Sequence, residues 1–127
     1  MNKISKGLKT LFLVHLVVGL IFGLIQLLIP ATFFGWFGVS VPDVWPSRFA
    51  AAAVLAFSAS SWFCYKAAVW DEVKIVVKTE IVWTVLATLV ILFGLFFEEQ
   101  PTASWINAII MAGFAAAFIY FYIKERR

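Results

Sequence analysis

Four long apolar stretches alternate along the chain with shorter segments that carry most of its charged residues. The stretches cover residues of about 8–29, 48–65, 72–97 and 104–123. Each is close to the roughly 20 residues that a helix needs to cross a hydrocarbon core about 30 Å thick. The pattern predicts an all-α integral membrane protein, a four-helix bundle formed by a single transmembrane domain over residues 1–127.

The first connection between the predicted spans is long and rich in aromatic residues. Within residues 30–47 there are three phenylalanines and two tryptophans, and Gly35, Gly38 and Pro42 interrupt any longer helix. Phenylalanine and tryptophan at this density favour the headgroup layer of a membrane. We therefore predict an interfacial outer loop with a short helix over about 31–37.

The other two connections, 66–72 and 98–103, are short polar turns. Asp71 has a side chain that suits a helix N-cap, and Glu72 would then lie in the first turn, where its charge favours the helix dipole. We expect the third long helix to begin at about residue 72, with its first two turns in the cytosolic interface.

Basic residues are divided unequally between the two predicted faces of the membrane. Nine of the ten lie near the termini or the middle connection: Lys3, Lys6, Lys9, Lys66, Lys74, Lys78, Lys124, Arg126 and Arg127. Only Arg48 lies next to the long first connection. Because basic residues are retained in the cytoplasm during membrane insertion, we predict a multi-pass protein of the cell inner membrane with both termini in the cytoplasm.

Composition narrows the class of protein further. Hydrophobic residues make up 64% of the chain and charged residues 13%, against about 45–50% and about 25% in soluble domains, so membrane lipids are expected partners. The net charge of +3 comes from basic residues whose positions at the helix ends are explained by the predicted topology and by anionic headgroups, so no nucleic-acid partner is expected. With one cysteine, Cys64, and one histidine, His15, paired-thiol chemistry and bis-histidine haem are excluded. No cofactor or metal is expected.

Small residues indicate how the spans pack. Gly19 and Gly23 have the GxxxG spacing that lets another helix approach closely, either within the chain or in a second copy. The second span is rich in alanine and serine. Since close backbone approach holds membrane helices together, we expect this span at the centre of the bundle.

A first set of polar residues, His15, Glu80 and Thr84, lies within the apolar stretches near the predicted cytoplasmic boundary. Counted from the outer helix ends at 1.5 Å per residue, His15 is roughly 21 Å deep, Glu80 roughly 25 Å and Thr84 roughly 20 Å. A hydrogen bond from His15 to Glu80 or to Thr84 is therefore within reach. Such a contact would be a proton-relay or ligand pair, or else a lock between helices, with Glu80 paired with Lys78 or snorkelling.

A second polar set lies near the outer boundary. Gln26, Arg48 and Asn107 are each within about one helical turn of it, and Asp43 lies in the adjoining loop. Arg48 is the exception to the charge asymmetry, so its positive charge needs a partner. That partner could be Asp43 or a glutamate of the third connection, a set of backbone carbonyls, or a lipid phosphate or anionic ligand. The glutamates concerned are Glu98 and Glu99. This set is a candidate ligand or lipid site.

From Pro30 onward the chain resembles the DoxX-like group of small bacterial and archaeal four-helix membrane proteins, most of them without an assigned function. The resemblance covers about residues 8–125 and rests on Pro30, the Phe- and Gly-rich outer loop, and Pro46 just before Arg48 at the start of an alanine-rich span. Relatives often carry glycine where this chain has Ala51. The resemblance implies a four-helix bundle and, in some members, an accessory role; it supplies no catalytic residue.

No nucleophile–base–acid trio and no metal-ligand cluster indicates catalysis. We therefore expect a non-enzymatic polytopic membrane protein, either an accessory or assembly subunit of a larger membrane complex or a small bundle that self-associates as a homo-oligomer. The alternative is a lipid- or small-molecule-binding protein, or a transporter component, with an outer pocket around Arg48. A membrane enzyme that uses His15 and Glu80 is the third interpretation.

Overall fold

The protein is all-helical in the computed structural model, which describes residues 2–127 and has no strand element within that range. The helices are α1 (Lys6–Leu28), α2 (Pro30–Trp36), α3 (Trp45–Lys66), α4 (Trp70–Phe97) and α5 (Ser104–Glu125). The prediction of an all-α protein is confirmed. Within the described range, α1, α4 and α5 are long and apolar enough to cross a membrane, which is the composition of a membrane protein. Helix α3 is as long but richer in alanine and serine.

The end of α1 and the start of α2 are set by Pro30. Proline cannot donate the hydrogen bond that would continue α1, but its fixed φ suits the first position of a new helix. The short helix predicted over about 31–37 is thus confirmed, at Pro30–Trp36. Its Phe33 ring is buried and packs against the ring of Phe22, with ring centroids 6.0 Å apart. This contact holds α2 against α1. The location of α2 in the headgroup layer stays a prediction.

The start of α4 differs from the prediction. Val69, not Asp71, is the N-cap residue, and the helix begins at Trp70. The carboxylate of Glu72 reaches back to accept hydrogen bonds from the backbone N–H groups of Ala68 (2.9 Å) and Val69 (3.3 Å). Because Glu72 satisfies these donors, Asp71 is not needed as a cap, and it pairs instead with Lys74 at 2.8 Å.

The long helices form two pairs, α1 with α3 and α4 with α5. Gly19 lies against Ser58 and Gly23 against Leu55, so the GxxxG spacing of α1 serves packing within the chain. The expectation that α3 is the centre of the bundle is wrong. One face of α3 is buried against α1, while alanines on its other face are exposed, because α3 and α4 touch only over a short length.

A cluster of buried apolar side chains joins the two pairs. Its fully buried members are Leu8 and Phe12 of α1, Val73 and Val77 of α4, and Phe118 of α5. All of them lie in the half of each helix nearer to the chain termini or to the α3–α4 connection. The bundle is therefore packed most tightly at that end of the molecule, which is called the termini end below.

Backbone hydrogen bonds close the termini end. The N–H of Ile4 donates to the carbonyl oxygen of Ala68 (3.1 Å), and the N–H of Trp70 donates to that of Asn2 (2.8 Å). The side-chain amide of Asn2 in turn donates to the carbonyl oxygen of Arg127 at 2.7 Å. Both ends of the described chain and the α3–α4 connection thus lie together.

Candidate functional site

Four buried polar residues meet where the two helix pairs join. His15 of α1 is 7% exposed, and Ser61 of α3 and Glu80 and Thr84 of α4 are 0% exposed. We call these four residues the buried polar cluster. Polar groups in the apolar part of membrane helices are costly, so such a cluster marks either a specific contact between helices or a functional site.

His15 is the central residue of the cluster. Its Nδ1 lies 2.7 Å from the hydroxyl oxygen of Ser61, a hydrogen-bonding distance, and its Nε2 lies 3.4 Å from Oε2 of Glu80. The ring also packs edge-on against Phe114 and Phe118, with centroids 4.8 and 5.5 Å away. One imidazole therefore touches the other three long helices, and the His15–Glu80 contact left open by the sequence is present.

Thr84 has a different role from the one considered in the sequence. Its hydroxyl donates to the carbonyl oxygen of Glu80, one turn earlier in the same helix, at 2.6 Å. The proton of that hydroxyl is thus engaged within α4, where such bonds are common for threonine. Thr84 lines the cluster, and the partner of His15 in α4 is Glu80.

The carboxylate of Glu80 lacks hydrogen-bond donors. Neither of its oxygens receives a hydrogen bond from any residue that the structure describes. Lys78, the alternative partner, points to the ring of Tyr122, 6.0 Å from its Nζ. An isolated charge at such a position costs several kcal/mol, and the imidazole of His15 is the polar group that lies beside it, at 3.4 Å.

A groove of about 280 Å³ opens between α3 and α4 beside the cluster. Its lining residues are Ala53, Ala56, Phe57, Ser60, Val76, Thr79 and Glu80. Ala53, Ala56 and Thr79 are exposed, so the groove is open along the side of the bundle. Glu80 belongs to both the groove and the buried polar cluster. We call this feature the α3–α4 groove.

At the opposite end of the molecule, the predicted outer set bonds mainly to backbone. The side chain of Gln26 donates to the carbonyl oxygen of Ser47 (3.0 Å), and Nε of Arg48 donates to that of Leu27 (3.2 Å). The Asp43 carboxylate accepts from the N–H of Trp45 at 3.0 Å, which orders the start of α3. Arg48 thus holds the C-terminal end of α1, where a cation favours the helix dipole.

The outer set does not converge on one pocket. Among residues 2–127 Arg48 forms no ion pair, so neither Asp43 nor the two glutamates of the third connection compensate it. Asn107 is exposed on α5, in the other helix pair, and none of the described hydrogen bonds joins it to Gln26 or Arg48. One backbone carbonyl and the ring of Trp45, whose centroid lies 5.4 Å from the guanidinium carbon, are therefore the partners of Arg48 that the structure shows.

No protein-family model, no curated protein and no solved structure matches this chain. Its class follows from composition and fold alone. It is an all-helical protein whose helices α1, α4 and α5 are suited to crossing a membrane.

Proposed function

We propose that the chain is a four-span protein of the cell inner membrane, with both termini in the cytoplasm, and that it acts without catalysing a reaction. It would serve as an accessory or assembly subunit of a larger membrane complex, or as a small bundle that self-associates. Two facts support crossing by α3: its 22 residues match the length of a span, and it lies alongside α1. The nine basic residues near the termini end support the orientation.

The observation that carries the functional proposal is the exposed face of α3. This face presents small side chains at helical spacing: Ala50, Ala52, Ala53, Ala56 and Ala59. Exposed positions of α1 and α4 hold mostly large side chains such as Leu24, Leu89 and Phe93. Small residues let the backbone of a second helix approach, and that contact drives association in lipid. We call these five residues the α3 alanine face.

The DoxX-like resemblance supports the same proposal, because it implies an accessory role in some members of that group. The α3–α4 groove favours a second candidate, the lipid- or small-molecule-binding protein or transporter component. That candidate is better supported at Glu80 than at Arg48. Arg48 is bonded to the C-terminal end of α1 and Gln26 to the first turn of α3, whereas Glu80 has no hydrogen-bond donor among the described residues.

Enlarging the α3 alanine face is expected to abolish association. Ala52 and Ala59 lie on this face outside the α3–α4 groove, so the double variant Ala52→Leu/Ala59→Leu should leave the groove unchanged. The matched control is Ala112→Leu, at an exposed position of α5. Native mass spectrometry from mild detergent should show a dimer or larger assembly for the wild type and for the control, and a monomer for the double variant.

Two results would contradict this proposal. One is a wild-type protein that is a monomer carrying only lipid. The other is an assembly that survives the double leucine substitution as well as it survives Ala112→Leu, since the contact would then lie on another face of the bundle.

A further inference from the structure

We propose that the α3–α4 groove binds a lipophilic amine, a molecule with one protonated nitrogen on an apolar body, and that the nitrogen is held by Glu80. The groove shares Ala53 and Ala56 with the α3 alanine face, whereas Ala52 and Ala59 lie outside it, and the proposal assigns the groove a ligand of defined chemistry. Three observations carry it: the carboxylate without donors, the polar atoms beside it, and the apolar lining open to the side of the bundle.

The carboxylate determines the charge of the ligand. Both oxygens of Glu80 are buried and receive no hydrogen bond from the described residues. Burying a polar group without a partner costs free energy, and a charge-assisted bond to a carboxylate is among the stronger hydrogen bonds in proteins. A protonated amine supplies both the donor and the compensating charge, whereas an anion would be repelled.

The two hydroxyl groups of the groove determine how many donors the nitrogen should carry. The hydroxyl of Ser60 donates to the carbonyl oxygen of Phe57 (2.7 Å), and that of Thr79 donates to the carbonyl oxygen of Ile75 (3.0 Å). In these positions both protons are engaged by backbone carbonyls, and both hydroxyl oxygens can still accept. A primary ammonium has three N–H donors, which suits Glu80 and these two acceptors.

The remaining lining determines the body of the ligand. Ala53, Ala56 and Val76 are apolar, and the Phe57 ring stacks on that of Trp83 with centroids 5.2 Å apart. An aromatic wall attracts a cation as well as an apolar group. Because Ala53 and Ala56 are exposed, a ligand dissolved in the membrane can enter from the side.

Binding requires a small movement of Glu80. Its carboxylate is covered in the free protein and lies 3.4 Å from His15, without a hydrogen bond from that ring. Turning the carboxylate toward the groove therefore breaks no hydrogen bond between the two side chains, and His15 can keep its contact with Ser61. The ligand replaces a long contact with short charge-assisted bonds.

The probe that tests this site is 2-phenylethylamine, with 2-phenylethanol as a neutral analogue of nearly the same shape. Isothermal titration calorimetry on the protein in lipid nanodiscs, corrected with empty nanodiscs, should show saturable binding of the amine to one site. Binding of the alcohol should be weaker by about tenfold or more, because it offers no charge to Glu80.

Three variants locate the site. Glu80→Gln keeps the shape of the side chain and should weaken amine binding by about tenfold or more, and Ala56→Leu should abolish it by filling the groove while Glu80 stays in place. Glu98→Gln removes an exposed acid far from the groove and should leave binding unchanged. If Glu80→Gln does not fold, the binding measured for Ala56→Leu tests the proposal by itself. Binding that does not saturate, that is equal for the alcohol, or that persists in Ala56→Leu would overturn the proposal.

Discussion

Replacing Gly19 with leucine is expected to force α1 away from α3 and to lower the free energy of unfolding by about 3 kcal/mol. A Cβ atom built on Gly19 would overlap the hydroxyl oxygen of Ser58 and lie 3.3 Å from its Cβ and 3.9 Å from its Cα. The hydroxyl of Ser58 also donates to the carbonyl oxygen of Val54 and is fixed there. Turning the hydroxyl aside would break that bond and would leave the Cβ and Cα of Ser58 in place, so the helices must separate to admit a leucine side chain.

The matched control for this substitution is Gly113→Leu. Apart from its chain neighbours and the backbone of its own helix, no heavy atom of the described chain lies within 4 Å of a Cβ built on Gly113, so the same change in size should cost less than about 0.5 kcal/mol there. Thermal unfolding in mild detergent, followed by helical circular dichroism, measures both. An equal loss at the two positions would contradict the close approach of α1 and α3, and so would no loss at Gly19.

Replacing His15 with leucine is expected to lower the free energy of unfolding by about 3 kcal/mol. The imidazole lies beside both Ser61 and Glu80, and its ring also packs against Phe114 and Phe118. Without it, the fully buried carboxyl group of Glu80 loses the polar neighbour that lies 3.4 Å away. Removing one partner of a buried pair costs more than removing both, because the remaining group is left uncompensated.

A double-mutant cycle measures this coupling. The loss in His15→Leu/Glu80→Met should be smaller than the sum of the losses in the two single variants, by about 1 kcal/mol or more. Combining His15→Leu with Thr88→Val is the control, since the hydroxyl of Thr88 bonds within α4 to the carbonyl oxygen of Thr84, and additive losses are expected there. Additive losses for His15 and Glu80 as well would mean that their 3.4 Å contact contributes nothing.

Features that depend on local sequence could be predicted well. Apolar stretches of membrane-spanning length, broken by Pro30 and by the polar turns, predicted the long helices and the short α2. The spacing of Gly19 and Gly23 predicted a close helix contact, because a missing side chain exposes the backbone whatever the neighbour is. The spacing did not determine whether the neighbouring helix belongs to the same chain, because that depends on how α1 and α3 dock.

Features that depend on rotation and docking of helices could not be predicted. Counting residues placed His15 at the same depth as both Glu80 and Thr84. Depth along a helix does not determine which of the two side chains faces His15. Ser61 was missed as a partner of His15, although it shares a face of α3 with Ser58, one turn away, which signals a polar stripe. One partner of Arg48 is a backbone carbonyl, which no residue type in the sequence marks.

The α3–α4 groove could also not be predicted from the sequence. It exists because α3 and α4 touch over only a short length, and the alanine-rich composition of α3 suggested the opposite, a helix packed on every side. Alanines permit close packing without requiring it. Whether another helix covers these alanines therefore depends on which partner binds the protein.

The central claim is that α3 crosses the membrane, which makes four spans and places both termini in the cytoplasm. Labelling of single cysteines by a membrane-impermeant maleimide in intact cells tests it, with Cys64→Ala as background and cysteine placed at Ser40, Ala68 or Glu99. Four spans predict labelling at Ser40 and Glu99 and protection at Ala68 until the membrane is permeabilised. Labelling at Ser40 and Ala68 with protection at Glu99 would mean that α3 does not cross and would contradict the account.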